Sequence, residues 1–253
     1  MKEEIFYNHI YILDSLLPED EKTGSELFTQ LKYLHFGNAF FHVTRYEIKN
    51  VRDLLLALSY IDLSISTSNL PLLHFEMHGI KEGILLSDGT IIRWKNLVKV
   101  LRKINVKTQN NLYIVFNTCF AAYIQKYIDI KLPAPFYGFI APLNEVNANQ
   151  LNQDFIKFYK YLISYKSFDK AIESLHETTN PIEYNYSNCY GYFDLLIKTK
   201  VNQPDIIESQ FKSIYKKCIS VSEGEIKKLI KGELEVAVDN MKKNYCYAQF
   251  RIQ

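Results

Sequence analysis

The sequence predicts an α/β fold: a mostly parallel central sheet with helices on both faces, followed by a C-terminal helical extension. Three observations predict it. Strand-like and helix-like segments alternate through the first 200 residues, the pattern of a parallel sheet wrapped by helices. Asn111–Phe116 (NLYIVF) is the apolar run expected of a central strand buried on both faces. After Thr199 the alternation stops and helix-length segments take over.

Taken in order, Ile5–Leu16 is rich in β-branched and aromatic residues and stops before Pro18, so it reads as a strand. Thr23-Gly24 opens a helix through about Lys32, with Leu27, Leu31 and Leu34 on one face. Ala39–Ile48 is a second strand, Val51–Ile65 a second helix and Leu70–Met77 a third strand that runs into His78-Gly79. A hairpin follows, Gly83–Leu86 and Thr90–Trp94 around Ser87-Asp88-Gly89, because Asp-Gly between β-prone runs is a strong turn signal. Trp94–Ile104 is a helix, and the apolar strand then delivers Asn117-Thr118-Cys119. A helix is expected from near Phe120 to before Pro133, then a strand over Phe136–Leu143. Helices over Gln150–Tyr165 and Phe168–His176 and a strand over Tyr190–Ile197 complete the block. Asn202-Gln203-Pro204 reads as a linker, followed by helices over Asp205–Cys218 and Ser222–Lys242. The expected division is residues 1–199 as one α/β domain and 200–253 as a helical extension.

Composition narrows the function classes. The 253 residues carry 30 Lys+Arg against 28 Asp+Glu, a formal charge of +2 that gives no reason to expect nucleic-acid binding. No apolar run approaches the ~18 residues of a membrane span. The N-terminus lacks the basic and apolar regions of a signal peptide. Cys119, Cys189, Cys218 and Cys246 form no C-x-x-C pair, and the histidines have no metal-ligand spacing, so neither a metal nor an organic cofactor is expected. A cytoplasmic protein with reduced thiols fits these features.

Two strand ends carry the chemistry. Ligands and catalytic groups of parallel α/β sheets gather at the carboxyl ends of the strands. One such end gives His78-Gly79 and another gives Cys119, 41 residues later. A nucleophilic thiolate needs a base or cation beside it, and a histidine on a neighbouring strand supplies either. A tetrahedral intermediate needs N–H donors. Gly79 allows close backbone approach, and a helix starting after Cys119 would turn that residue's N–H toward the same oxyanion.

Strand–His-Gly, hairpin and helix, then apolar strand–Cys resembles the caspase-like cysteine peptidases. The segments LLHFEMHGIKEGILLSDGTIIRWKNLVKVL (Leu72–Leu101), IVFNTCFAA (Ile114–Ala122) and YGFIAPLNEVNANQLNQDFIKFYKYL (Tyr137–Leu162) are most similar to the CHAT branch, whose relatives include separase. The likeness spans roughly Ile5 to Ile197. It implies a caspase-like three-layer sandwich and a cysteine endopeptidase acting on protein substrates. It maps the catalytic histidine onto His78, the nucleophile onto Cys119, and the oxyanion donors onto Gly79 and Cys119. It also implies a regulated protease, often an effector of prokaryotic antiviral defence or signalling, with an activating partner or homodimerisation through the C-terminal helices as the trigger.

The match has departures. Asn117-Thr118-Cys119-Phe120-Ala121 lacks the Q-A-C-[RQG]-G of true caspases. This weakens cleavage after Asp and leaves open a catalytically inactive pseudoprotease that acts as a binding or scaffold protein. Relatives of the separase kind bind a basic P1 side chain with carboxylates. Asp14 ends the first strand with no arginine near it in sequence, and Glu145 falls where separase carries a pocket acid, so both are expected to bind a Lys or Arg P1. Glu76 shares strand parity with His74 and His78 and could meet either, and no third catalytic residue is assigned. The apolar stripe of Ile226, Leu229, Ile230, Leu234, Val238 and Met241 fits packing onto the domain first and a partner interface second. No G-x-S-x-G elbow supports a serine hydrolase.

Overall fold

In the computed structural model, residues 7–36, 41–177, 184–189, 191–193, 232, 235, 236 and 238–246 are described. The elements are β1 (His9–Ser15), α1 (Thr23–Phe36), β2 (His42–Glu47), α2 (Val51–Ser64), β3 (Pro71–Ile80), β4 (Gly83–Leu85), β5 (Ile91–Arg93), α3 (Trp94–Lys107), β6 (Tyr113–Asn117), a 3-10 helix (Ala121–Tyr127), β7 (Gly138–Pro142), α4 (Ala148–Tyr165), α5 (Phe168–Leu175) and β8 (Tyr184–Asn188).

The main sheet runs β2-β1-β3-β6-β7-β8. All of its pairs are parallel except β7–β8. From β1 the chain turns one way to β2 and the other way to β3, so the strand order reverses between β1 and β3. Such a switch point opens a crevice at the carboxyl ends of those strands. The alternation of side chains along each strand divides the core in two. Tyr11, Leu13, Leu73, Phe75, Met77, Ile114 and Phe116 face α2 and α3, with Trp94 fully buried among them. Ile10, Ile12, Leu72, Tyr113 and Val115 face α1, α4 and α5. These are the three layers expected.

Several expectations need correction. β3 does not stop at Met77. It leaves the sheet after its last pairings, Met77 with Ser15 and Glu76 with Asn117, and continues into the antiparallel hairpin of β4 and β5, with His78 opposite Leu85. The α-helix expected from Phe120 to Pro133 is a seven-residue 3-10 helix. The expected strand over Tyr190–Ile197 is helical at residues 191–193, and its other residues lie outside the described ones. The antiparallel edge strand is instead Tyr184–Asn188 (YNYSN), in which only Tyr184 and Tyr186 pack on the core.

The helix expected over Asp205–Cys218 lies outside the described residues. Of the expected helix over Ser222–Lys242, the described residues 232, 235, 236 and 238–242 are helical, and the helix runs on through Cys246. Tyr245 and Cys246 pack with Ala134, Cys189, Tyr192 and Phe193. The Ala134 N–H donates to the Tyr245 carbonyl at 2.9 Å. This end of the tail therefore lies on the α/β body. Among the described residues, no helix is long and apolar enough to cross a membrane.

Candidate active site

His78 is the first residue of β3 beyond its pairing with β1. Met77 is 2% exposed, whereas the His78 side chain is 47% exposed. Cys119 lies just past β6, in a turn whose next residue, Phe120, has a left-handed backbone (φ 57°). Such a conformation costs a non-glycine residue about 1–2 kcal/mol. The Phe120 N–H donates to the Asn144 carbonyl at 3.3 Å, and the Phe120 carbonyl accepts from the Tyr123 N–H at 3.0 Å. Lys81, just beyond β3, stands over the Phe120 ring. These contacts fix the turn that presents Cys119.

The register places the two ends side by side. Glu76 is opposite Asn117, and His78 and Cys119 are each two residues further on. Gly79 lies directly against the Cys119 backbone: a Cβ on it would overlap the Cys119 carbonyl oxygen and come within 2.5 Å of Thr118 Cγ2. Only glycine fits there. Gly79 is thus brought against the Cys119 backbone, and His78 precedes it on the adjacent strand end.

The polar partners of the two side chains lie elsewhere. The Cys119 thiol donates to the Val146 carbonyl at 3.8 Å. His78 Nε2 faces Asp20 Oδ2 at 2.8 Å. Among the described residues, the imidazole and the thiol do not hydrogen-bond each other. Asp20 Oδ2 also accepts the Leu17 N–H at 2.7 Å. Partial burial works against the charged Asp20, but the Leu17 N–H, His78 and Lys22 outweigh it and hold its carboxyl below the usual aspartate range. Asp20 was not assigned from sequence. It stands beside Glu19 and Glu21, and only the folded loop singles it out.

Glu76 does not reach His78. Its carboxyl accepts from Thr23 Oγ1 at 2.6 Å and from Asn117 Nδ2 at 2.8 Å, and meets His74 Nε2 at 3.0 Å. His74 Nδ1 in turn meets the Tyr159 hydroxyl at 3.1 Å. All five side chains of this network are buried.

The two expected specificity residues differ in setting. Glu145 is exposed in the loop after β7, between Asn144 and Val146, whose carbonyls meet the Cys119 turn. Asp14 is only 6% exposed and pairs with Arg45 Nε at 2.7 Å. The expectation that no arginine stands near it is corrected: Arg45 comes from β2, 31 residues away. Burial nonetheless holds the Asp14 carboxyl above the ordinary range, against the pull of Arg45 and with a push from Glu76. A seven-residue 3-10 helix follows Cys119, and it lacks the long run of aligned peptides that gives an α-helix its full dipole. Among the described residues, no cluster of His, Cys, Asp or Glu could hold a metal ion.

No protein-family model matches the chain, and no curated protein matches it in sequence. Among solved structures, the Drosophila initiator caspase Dronc is similar, with a TM-score of 0.52 and 12% sequence identity over 74% of this chain and 82% of that one. At that identity the likeness is one of fold, and it makes this α/β sandwich a caspase-like one.

Proposed function

We propose that this chain is a cysteine endopeptidase of the CHAT branch, using a Cys119–His78 dyad on protein substrates. One observation carries the reading. The reacting pair stands on adjacent carboxyl-terminal strand ends of a caspase-like sheet, with Gly79 pressed against the Cys119 backbone. In the proposed cycle His78 takes the Cys119 thiol proton, the sulfur attacks the scissile carbonyl carbon and the oxygen takes the electron pair. The Gly79 and Cys119 N–H groups hold that oxyanion. His78 protonates the leaving amine as the C–N bond breaks. It then takes a proton from water as the C–O bond forms and the C–S bond breaks, which restores the thiol.

The preferred P1 residue is Lys or Arg. Glu145, exposed beside the Cys119 turn, supplies the larger share of this preference. Asp14 joins where a substrate cation takes the place of Arg45. By resemblance the protein is a cytoplasmic effector of prokaryotic antiviral defence or signalling, with residues 200–253 as the regulatory extension. Its trigger is an activating partner or homodimerisation through the C-terminal helices. Truncation before Pro204 tests this, and unchanged activity and oligomeric state would remove the regulatory role.

A second reading, a pseudoprotease scaffold, is favoured by the separate partners of the two side chains, Val146 for the thiol and Asp20 for the imidazole. Hydrolysis of a fluorogenic peptide library varied at P1, with wild type beside Cys119→Ala, decides between the two. Cleavage by wild type alone supports the peptidase. Cleavage that survives in Cys119→Ala defeats the mechanism, and no cleavage by either protein, with or without the tail, favours the scaffold.

A further inference from the structure

We infer that Asp20 is the positioning residue for His78, so that the site is a Cys–His–Asp arrangement; this rests on the reading of His78 and Cys119 as the reacting pair. Asp20 Oδ2 lies 2.8 Å from His78 Nε2. An ionised carboxylate only accepts hydrogen bonds, and the Asp20 carboxyl is held below its ordinary range. At neutral pH the proton between them therefore belongs to Nε2. That leaves the Nδ1 lone pair as the base of the ring, because the hydrogen bond made by one ring nitrogen sets the state of the other.

An ion pair between exposed side chains contributes little, since each must be ordered to make it. Asp20 is different because groups other than His78 also hold it. Its Oδ2 takes the Leu17 N–H at 2.7 Å, and its own N–H donates to the Leu17 carbonyl at 3.1 Å. Lys22 Nζ donates to the Leu17 and Pro18 carbonyls at 3.0 and 2.7 Å. Asn149, at the start of α4, donates to Glu21 at 2.6 Å, which ties this loop to the segment that follows Val146. The carboxylate is thus an anchored acceptor, only 23% exposed, aimed at a ring on the opposite wall of the crevice. Ordering the ring this way also fixes which face of it can turn toward Cys119.

Two measurements test the proposal. The first is the pair of imidazole ¹⁵N shifts of His78, assigned by their loss in His78→Ala and read in alkaline buffer where histidines are neutral. Wild type and Cys119→Ala should show a single Nε2–H tautomer, and Asp20→Ala should move toward the averaged shifts of a free imidazole. A wild-type ring in any other state, or unchanged shifts in Asp20→Ala, overturns the proposal. This result stands whether or not the protein cleaves peptides, so it fails separately from the peptidase reading. The second measurement applies to the active enzyme. Asp20→Ala should lower kcat by roughly tenfold to a thousandfold, within the range of acid–base assistance, with KM nearly unchanged. Asp20→Glu should recover part of that loss. Equal losses in Asp20→Ala and Asp20→Glu, or a loss confined to KM, would refute the positioning role.

Discussion

Glu76→Ala should be among the most destabilising single changes in this protein. The carboxyl is 2% exposed and takes bonds from Thr23 Oγ1 at 2.6 Å and Asn117 Nδ2 at 2.8 Å, with His74 Nε2 at 3.0 Å. Thr23 is 3% exposed, Asn117 5% and His74 0%, so none of them can turn to bulk water. Each buried group left without a partner costs about 1–3 kcal/mol. A water entering the vacated space recovers part of this, because such a site is polar and offers the two to four partners a buried water needs. The expected net loss is about 4 kcal/mol, a large fraction of the ~5–15 kcal/mol that holds a domain folded. For a chain of this size that lowers Tm by roughly 8–16 °C.

Glu76→Gln keeps the volume. Its amide oxygen can still accept from Thr23 and Asn117. Its amide nitrogen can donate to His74 Nε2 if the histidine moves its own proton to Nδ1 and donates to Tyr159. The expected cost is about 1–2 kcal/mol. Urea titration and thermal melts followed by circular dichroism measure both variants. A Glu76→Ala protein within about 1 kcal/mol of wild type would refute the reasoning, since it would mean the orphaned groups cost nothing. So would a Gln variant as damaged as the Ala variant.

Three further outcomes follow from the same geometry. Gly79→Ala forces a Cβ onto the Cys119 carbonyl and should cost about 1–3 kcal/mol as overpacking; activity should fall further than stability does, and wild-type kcat/KM in this variant would refute the close-approach argument. Burial lowers His9 to about 4, with His42 adding to the drop against a hydrogen bond to the Asn69 amide oxygen; the unfolded chain then binds the extra proton first, so this contribution to stability is lost as pH falls from about 6.5 to about 4, and His9→Gln should flatten that slope in urea midpoints measured at pH 7 and pH 5. Tyr245 is 2% exposed with its ring 5.7 Å from that of Phe193, so Tyr245→Ala should cost about 3 kcal/mol; a variant as stable as wild type would show that the tail does not hold to the body in solution.

How much was legible in the sequence depended on whether the deciding interaction was local. β1, β3 and β6 announce themselves because strands buried on both faces read as apolar runs. The Asp88-Gly89 hairpin does so through its turn residues, with Gly89 at φ 84°. β8 was missed because Tyr-Asn-Tyr-Ser-Asn offers only one period of apolar alternation, Tyr184 and Tyr186. It forms by pairing with β7 from Gly138 to Pro142, a tertiary event. The placing of His78 and Cys119 past the ends of neighbouring strands was legible because it needs only the order of elements. Their partners were not. Asp20 and His78 are 58 residues apart, and Arg45 and Asp14 are 31 apart. Asp20 has acidic neighbours, Glu19 and Glu21, that look equally available in sequence, and Asp14 has no arginine near it there. What sorts them is which loop folds back and which strand lies alongside.

One face of the sheet changes character along its length, from apolar core through a buried polar network to the strand ends at the surface. Side chains on the α1–α4 face run Ile10, Ile12, Asp14 on β1; Leu72, His74, Glu76, His78 on β3; and Tyr113, Val115, Asn117, Cys119 on β6. The first rungs are apolar core. The next are buried and polar, and are tolerable because they satisfy one another through Thr23, Tyr159 and Arg45. The last rung reaches the surface with His78 and Cys119. The 2.8 Å bonds from Asn117 to Glu76 therefore clamp β3 to β6 one rung below His78 and Cys119. The clamp fixes the separation of the two strand ends without occupying either side chain. His78 and Cys119 stay outside the clamp, the ring bonded to Asp20 and the sulfur to the Val146 carbonyl.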